Sequence, residues 1–204
     1  MSNFLIQIVP TLNSNDLESV NHFCESGEIP LQENTVFSGT GFRTDTTIRS
    51  STGFTLPEGH PVTDKIGKAM NEALLVYRDR LGEIHPSLVN HTLAPGAWGT
   101  SSHREGIQIL EYQPGQMYNF HYDQNWCRTQ QTFYRTISVV LYLNSGFEGG
   151  GTEFADQVYK PCAGEALIFP SSWCFPHCGQ KVISGVKRVA VTWYYVYPTP
   201  QSAG

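Results

Sequence analysis

From Ile107 onward the chain is a regular succession of short apolar or alternating runs, at residues 107–112, 117–122, 136–143, 166–169 and 189–197. Each is followed closely by Pro, Gly, Asn or Ser. Runs of that length, punctuated by turn residues, predict strands and confine this half of the chain to a β-sandwich or jelly roll. The 10 Tyr, 11 Phe, 4 Trp and 19 Gly favour the same outcome, because aromatic side chains suit a pleated surface and Gly suits the turns between strands.

The earlier residues have a different pattern. After a short strand near residues 4–9, Ser14-Asn15-Asp16 offers capping oxygens for a helix running to about Ser26-Gly27. A second helix follows Pro61, where Ile66, Met70, Ala73, Leu74 and Tyr77 recur at helical spacing up to Gly82 and predict one core-facing side. Between the helices, residues 38–56 are rich in Gly, Ser and Thr and read as hairpin edges or a mobile flap. Residues 124–134 carry no assignable pattern and are expected to form a second lip, and 198–204 a frayed tail. A chain of 204 residues with 40% hydrophobic content fits one domain, with a helix-rich support over 1–105 and a β core over 106–197.

A formal net charge of -5 disfavours a surface that tracks nucleic-acid phosphates and suits a small substrate or soluble partner. Cys24, Cys127, Cys162, Cys174 and Cys178 are odd in number and too sparse for a disulfide scaffold. No basic region precedes the apolar run at the start, and no stretch reaches membrane-spanning length. The expectation is a soluble, cytoplasmic protein without a membrane partner.

His121 and Asp123 lie two residues apart in a predicted strand, so both side chains emerge on one face and can reach one ion. A third ligand has to come from elsewhere, and His177 follows the apolar strand 166–170. Two imidazoles and one carboxylate form the facial triad that holds non-haem iron(II) with coordination positions open, and the same donors accept manganese, cobalt, nickel or zinc. A rival arrangement joins Cys162, Cys174, His177 and Cys178 in a structural zinc site, although Cys174 and Cys178 lack the usual zinc-knuckle spacing. His22, His60, His85, His91 and His103 have no comparable context and read as surface or capping residues.

Taken in order, several blocks resemble the 2-oxoglutarate- and iron(II)-dependent dioxygenases, and within them the prolyl 4-hydroxylases. They are residues 108–123 around the His-x-Asp pair, 135–143, the Gly149-Gly150-Gly151-Thr152 turn, 161–169, and 177–187. The resemblance implies a mainly β protein with flanking helices (α+β), its double-stranded β-helix (jelly-roll) core supported by N-terminal helices. It further implies His121, Asp123 and His177 as iron ligands, and Lys187 as the partner of the distal carboxylate of 2-oxoglutarate, with Tyr112 and Thr152 bonding to that same carboxylate. A buried carboxylate needs such a counter-charge and donors to offset its desolvation. Arg188, next along the strand, should face the other way.

For the substrate side the resemblance implies Tyr118, Arg135 and Trp193 facing a peptide, with the loop at Arg49 closing over it. The implied cofactors are Fe(II), 2-oxoglutarate and O2, with ascorbate as an accessory reductant. The implied reaction is hydroxylation of a peptidyl proline at ring carbon 4, with release of succinate and CO2, on a proline-containing peptide or protein. Two alternatives stand beside it: oxygenation of a free amino acid, another side chain or a nucleobase, the last opposed by the acidic charge; and a non-catalytic jelly-roll binding protein. The sequence carries no signal for the oligomeric state.

Overall fold

The long apolar strands meet at the centre of one antiparallel sheet. In a computed structural model, which describes residues 4–37, 41–91, 102–124 and 134–196, the strand order is Gln7–Pro10, Glu165–Pro170, Tyr134–Tyr142, Lys187–Val196, Gln108–Tyr112, Thr52–Thr55 and Gln32–Glu33. Ser102–Arg104 also pairs with Lys187–Val196. A second sheet runs Val158–Tyr159, Thr152–Phe154, His177–Gly179, Tyr118–His121. The two sheets face each other across Phe154, Tyr159, Leu167 and Phe169, with the Phe154 and Phe169 rings 5.0 Å apart, edge to face. This is the expected jelly roll.

Period-two alternation gives the main sheet two unlike faces. Ile109, Val139, Leu141, Ile168 and Ala190 point to the outer face and pack against helix α1 (Ser14–Glu25) and helix α2 (Pro61–Ile84) through Val20, Phe23, Ile66, Met70, Leu74 and Tyr77. The apolar repeat read from the sequence is the buried stripe of α2. His60 caps that helix, its ring nitrogen accepting from Val62 N at 3.2 Å, just before Pro61 in the first turn. The cap of α1 is Asn13, one residue before the predicted Ser14: its Oδ1 accepts from Asp16 N at 2.9 Å. Leu110, Tyr112, Tyr142, Val189 and Val191 point to the inner face.

Of the two readings of residues 38–56, the one as hairpin edges fits the paired segments. Thr52–Thr55 is a paired strand of the main sheet, and a Cβ at Gly53 would collide with the Ile109 carbonyl, so glycine there serves close strand approach. Val36–Phe37 pairs with Phe42–Arg43, and Arg49 bridges to Tyr118. Residues 38–40, the core of the predicted lip at 125–133 with Cys127, and the tail from 197 lie outside the described residues. The chain before residue 106 contributes four strands to the main sheet as well as the helices. No helix among the described residues is long and apolar enough to cross a membrane.

Candidate metal and co-substrate site

Antiparallel pairing builds the centre. His177 lies in register with His121, which brings the two rings to 4.4 Å, and Asp123 follows where the His121 strand ends. His121 Nε2 is 3.5 Å from Asp123 Oδ1 and His177 Nε2 is 3.6 Å from Asp123 Oδ2. The three ligand atoms lie within 4.8 Å of one another. Each Nδ1 faces a backbone carbonyl two residues upstream, His121 that of Asn119 at 2.8 Å and His177 that of Phe175 at 3.1 Å. A carbonyl can only accept, so each Nδ1 carries a proton and Nε2, on the Asp123 side, is the nitrogen left to ligate a metal.

The electrostatics favour ligation. Burial pushes the Asp123 carboxyl up, but His177, His121 and the Ser138 hydroxyl outweigh it and hold the group well below the usual carboxylate range. Burial disfavours the His177 imidazolium, more than Asp123 favours it, and lowers its pKa. A carboxylate and neutral imidazoles are the protonation states a divalent metal requires.

The rival zinc arrangement does not form. Cys162 and Cys174 are exposed while Cys178 is buried, and among the described residues the one cluster of possible metal ligands is His121, Asp123 and His177. Burial, then Glu153, lifts the Cys178 thiol to about 11, and its Sγ lies 3.7 Å from Glu153 Oε2.

The triad opens on a cavity of about 820 Å³ whose lining includes Tyr112, Thr152, Lys187, Tyr118, Arg135 and Trp193. At the inner end Lys187 is 3% exposed, with Nζ 5.2 Å from the Tyr112 ring centre and 4.8 Å from that of Tyr142. Among the described residues no carboxylate forms an ion pair with it. Burial, reinforced by Lys160, depresses its pKa to about 7. Thr152 Oγ1 and Tyr142 Oη are 2.9 Å apart beside it. Leu110, Val140, Val189 and Val191 line the middle of the cavity.

At the outer end Arg135 forms a two-pronged ion pair with Glu105, at 2.5 and 2.6 Å, and its guanidinium lies 3.7 Å from the Trp193 ring centre. Tyr118 stacks on His121 at 3.7 Å, and the Arg49 guanidinium lies over the Tyr118 ring, 5.0 Å from its centre. All ten residues expected from the sequence therefore border one cavity. Reading the sequence passed over Ser138, Tyr142 and Glu105. The available signal for the first two was their even separation, Ser138 and Tyr142 bracketing the apolar run Val139-Val140-Leu141, which places both hydroxyls on one face.

Fold, donor set and cavity together define a candidate mononuclear metal site inside a jelly roll. Residues 107–195 match the family model of the 2OG-Fe(II) oxygenase superfamily, a little under half of the chain, and the chain resembles the prolyl 4-hydroxylases within it. It is 35% identical over 107 residues to a putative prolyl 4-hydroxylase of Acanthamoeba polyphaga mimivirus, covering 44% of each chain. It is 28% identical to probable prolyl 4-hydroxylase 10 of Arabidopsis thaliana, over 88% of this chain and 65% of that one. The chain thus spans less than two thirds of the length of these relatives.

Among solved structures, a Pseudomonas putida prolyl-4-hydroxylase superposes with a TM-score of 0.68 at 18% identity, covering 97% of this chain and 95% of that one. The viral collagen prolyl hydroxylase of Paramecium bursaria Chlorella virus-1 superposes with a TM-score of 0.62 at 23% identity, covering 94% and 96%. These neighbours establish the jelly-roll fold. The residues present fit the cofactors of that superfamily, Fe(II) and 2-oxoglutarate: a carboxylate and two imidazoles converge at one end of a cavity, and a buried cation without a counter-ion among the described residues stands at the other.

Proposed function

We propose that the protein is a 2-oxoglutarate- and iron(II)-dependent dioxygenase that hydroxylates a prolyl residue of a peptide, acting as a single domain. The observation that carries the reading is that the His121-Asp123-His177 triad and the unpaired Lys187 share one cavity. His121, Asp123 and His177 would hold iron(II) on one side and leave the cavity side open. When bound together, iron(II), 2-oxoglutarate and O2 supply the oxidising chemistry, releasing succinate and CO2 and transferring one oxygen atom to a C–H bond.

The protein residues supply binding and order. Lys187 would take the distal carboxylate of 2-oxoglutarate, with hydroxyls from Tyr112, Tyr142 and Thr152 completing its hydrogen bonds. Leu110, Val140, Val189 and Val191, which line the cavity, would help keep water from the bound co-substrate. Tyr118, Arg135, Trp193 and Arg49 would form the substrate wall. Arg135 is neutralised by Glu105 and lies flat on Trp193, a surface that suits an uncharged ring or peptide group better than an anion. A cytoplasmic location is supported by the cysteines Cys24, Cys162, Cys174 and Cys178, none of which is in a disulfide.

The test is incubation of the iron-loaded protein with 2-oxoglutarate, ascorbate, air and a library of proline-rich peptides, with mass spectrometry and succinate measured together. The expected result is a mass gain of one oxygen atom on proline, matched by succinate. Turnover on a free amino acid without peptide oxidation overturns the peptide assignment, and no succinate under any condition overturns the enzyme.

A further inference from the structure

Ser138 lies in the middle of the apolar stretch Ile137-Ser138-Val139-Val140-Leu141, where the register places it beside Phe169 on one strand and Trp193 on the other. It is 1% exposed, as is Ser171. A hydroxyl buried without a partner costs about 1–3 kcal/mol, so a serine in this position needs a reason. Asp123 provides it: Ser138 Oγ donates to Asp123 Oδ2 at 2.6 Å. Ser138 Oγ also lies 2.8 Å from Ser171 Oγ. A serine has one hydroxyl proton, and that of Ser138 is committed to the carboxylate, so Ser171 is the donor in the second bond.

The backbone of Ser171 is fixed independently. Its N–H donates to Thr136 O at 2.9 Å, and its carbonyl accepts from Gln124 N at 2.8 Å. The residue that orients Ser138 therefore also holds the peptide next to Asp123. The carboxylate is gripped through its side chain by Ser138 and through the adjoining backbone by Ser171.

We infer that Ser138 and Ser171 form a two-hydroxyl relay that sets the rotation of the Asp123 carboxylate and so its presentation to the metal. The inference rests on the reading of His121, Asp123 and His177 as a metal site. Ser138 is a positioning residue, acting through Asp123, and Ser171 acts through Ser138. With the relay intact one carboxylate oxygen is occupied by a proton donor; without it the group is free to turn and offer both oxygens.

Titration of the metal-free protein with Co(II), read by visible absorption, tests this without turnover. Ser138→Ala is expected to weaken Co(II) binding by about 10- to 100-fold, the usual loss when a ligand's hydrogen-bond partner is removed, and to alter the absorption envelope. Ser171→Ala should shift both in the same direction by less, and Ser138→Thr should restore the wild-type affinity and spectrum. A purely structural role would lower the unfolding temperature of the metal-free protein and leave both readouts unchanged. If Ser138→Ala does not fold, Ser171→Ala decides alone.

Wild-type affinity and spectrum in both alanine variants overturn the relay and leave the metal site standing. Absence of Co(II) binding by the wild-type protein, or undiminished binding by His121→Ala, overturns the site and the relay with it.

Discussion

Consecutive residues of one strand, Lys187 and Arg188, meet opposite circumstances on the two faces of the main sheet. Arg188 turns to the helix side, where its guanidinium reaches Glu111 Oε2 and Glu25 Oε1, each at 3.1 Å, and Asn21 Oδ1 at 3.3 Å. Lys187 turns to the cavity and meets aromatic rings. The same division holds for the two faces as a whole. On the helix side Tyr77 Oη donates to Leu5 O at 2.8 Å and Tyr194 Oη to Asn71 Oδ1 at 2.6 Å, so these buried hydroxyls are satisfied within the chain, and the charged Arg188 is paired there, while Gln7 Oε1 is left without a partner among the described residues. On the cavity side a cation unpaired among the described residues shares a pocket with two imidazoles and a carboxylate, a set that a folded chain has no structural reason to bury. A buried charge without a counter-charge, rather than an unsatisfied polar atom in general, marks where a ligand belongs.

The largest effect that could break this division lies at the triad. His121→Ala and Asp123→Ala should each reduce succinate formation by at least about a thousandfold, because a ligand is lost from a centre whose charge stabilisation amounts to several kcal/mol. Stoichiometric succinate from either variant would show that the cluster is not the reaction centre. On the helix side, Arg188→Met leaves Glu111, 9% exposed, without its counter-charge and should cost about 3 kcal/mol in urea unfolding. The concentration of 2-oxoglutarate needed for half-maximal turnover should not move; if it does, the two faces are not independent.

The same division explains what was legible in the sequence. His121 and Asp123 are two residues apart, and the α2 stripe repeats within one helix, so local spacing exposed both. Lys187 was recognised through a motif that stays contiguous in the chain. The partners that complete the site are distant: Ser138 meets Asp123 across 15 residues and Arg135 meets Glu105 across 30, and neither pair leaves a periodic trace. Thr152–Phe154 and His177–Gly179 are three residues long, below the length at which alternation can be read, yet they place Thr152 and His177. The stretch read as hairpin edges or a flap contains a strand, Thr52–Thr55, and the two readings could not be told apart because a glycine needed for close strand approach looks in sequence like a glycine in a loop.

A smaller effect separates Lys187 from its neighbour. Lys187→Met should raise the 2-oxoglutarate requirement about 10- to 150-fold, the equivalent of losing a hydrogen-bonded charge pair, measured by titration of the co-substrate. Unchanged binding would remove Lys187 from the co-substrate site and leave its burial without a function. The same variant should not lose stability without ligand, because an unpaired buried cation is replaced by an apolar chain of similar length.

The pH dependence of stability gives the finest comparison. The folded-state pKa of Lys187 is depressed to about 7, against roughly 10.4 for a lysine in an unfolded chain. Between those values the unfolded state binds more protons than the folded one, so stability contributed by this group rises with pH, by about 1 kcal/mol per pH unit once the pH exceeds 7. In urea unfolding between about pH 7.5 and about pH 9, the ligand-free wild-type protein should gain stability relative to Lys187→Met. Saturating 2-oxoglutarate should flatten the difference, since a carboxylate beside Lys187 restores the ammonium in the folded state. Arg188→Met should follow the wild-type slope, because a guanidinium stays charged throughout this range. Parallel curves for wild type and Lys187→Met would mean that the Lys187 amine is solvated or paired in solution, and the contrast between the two faces would fail at the residue that expresses it most directly.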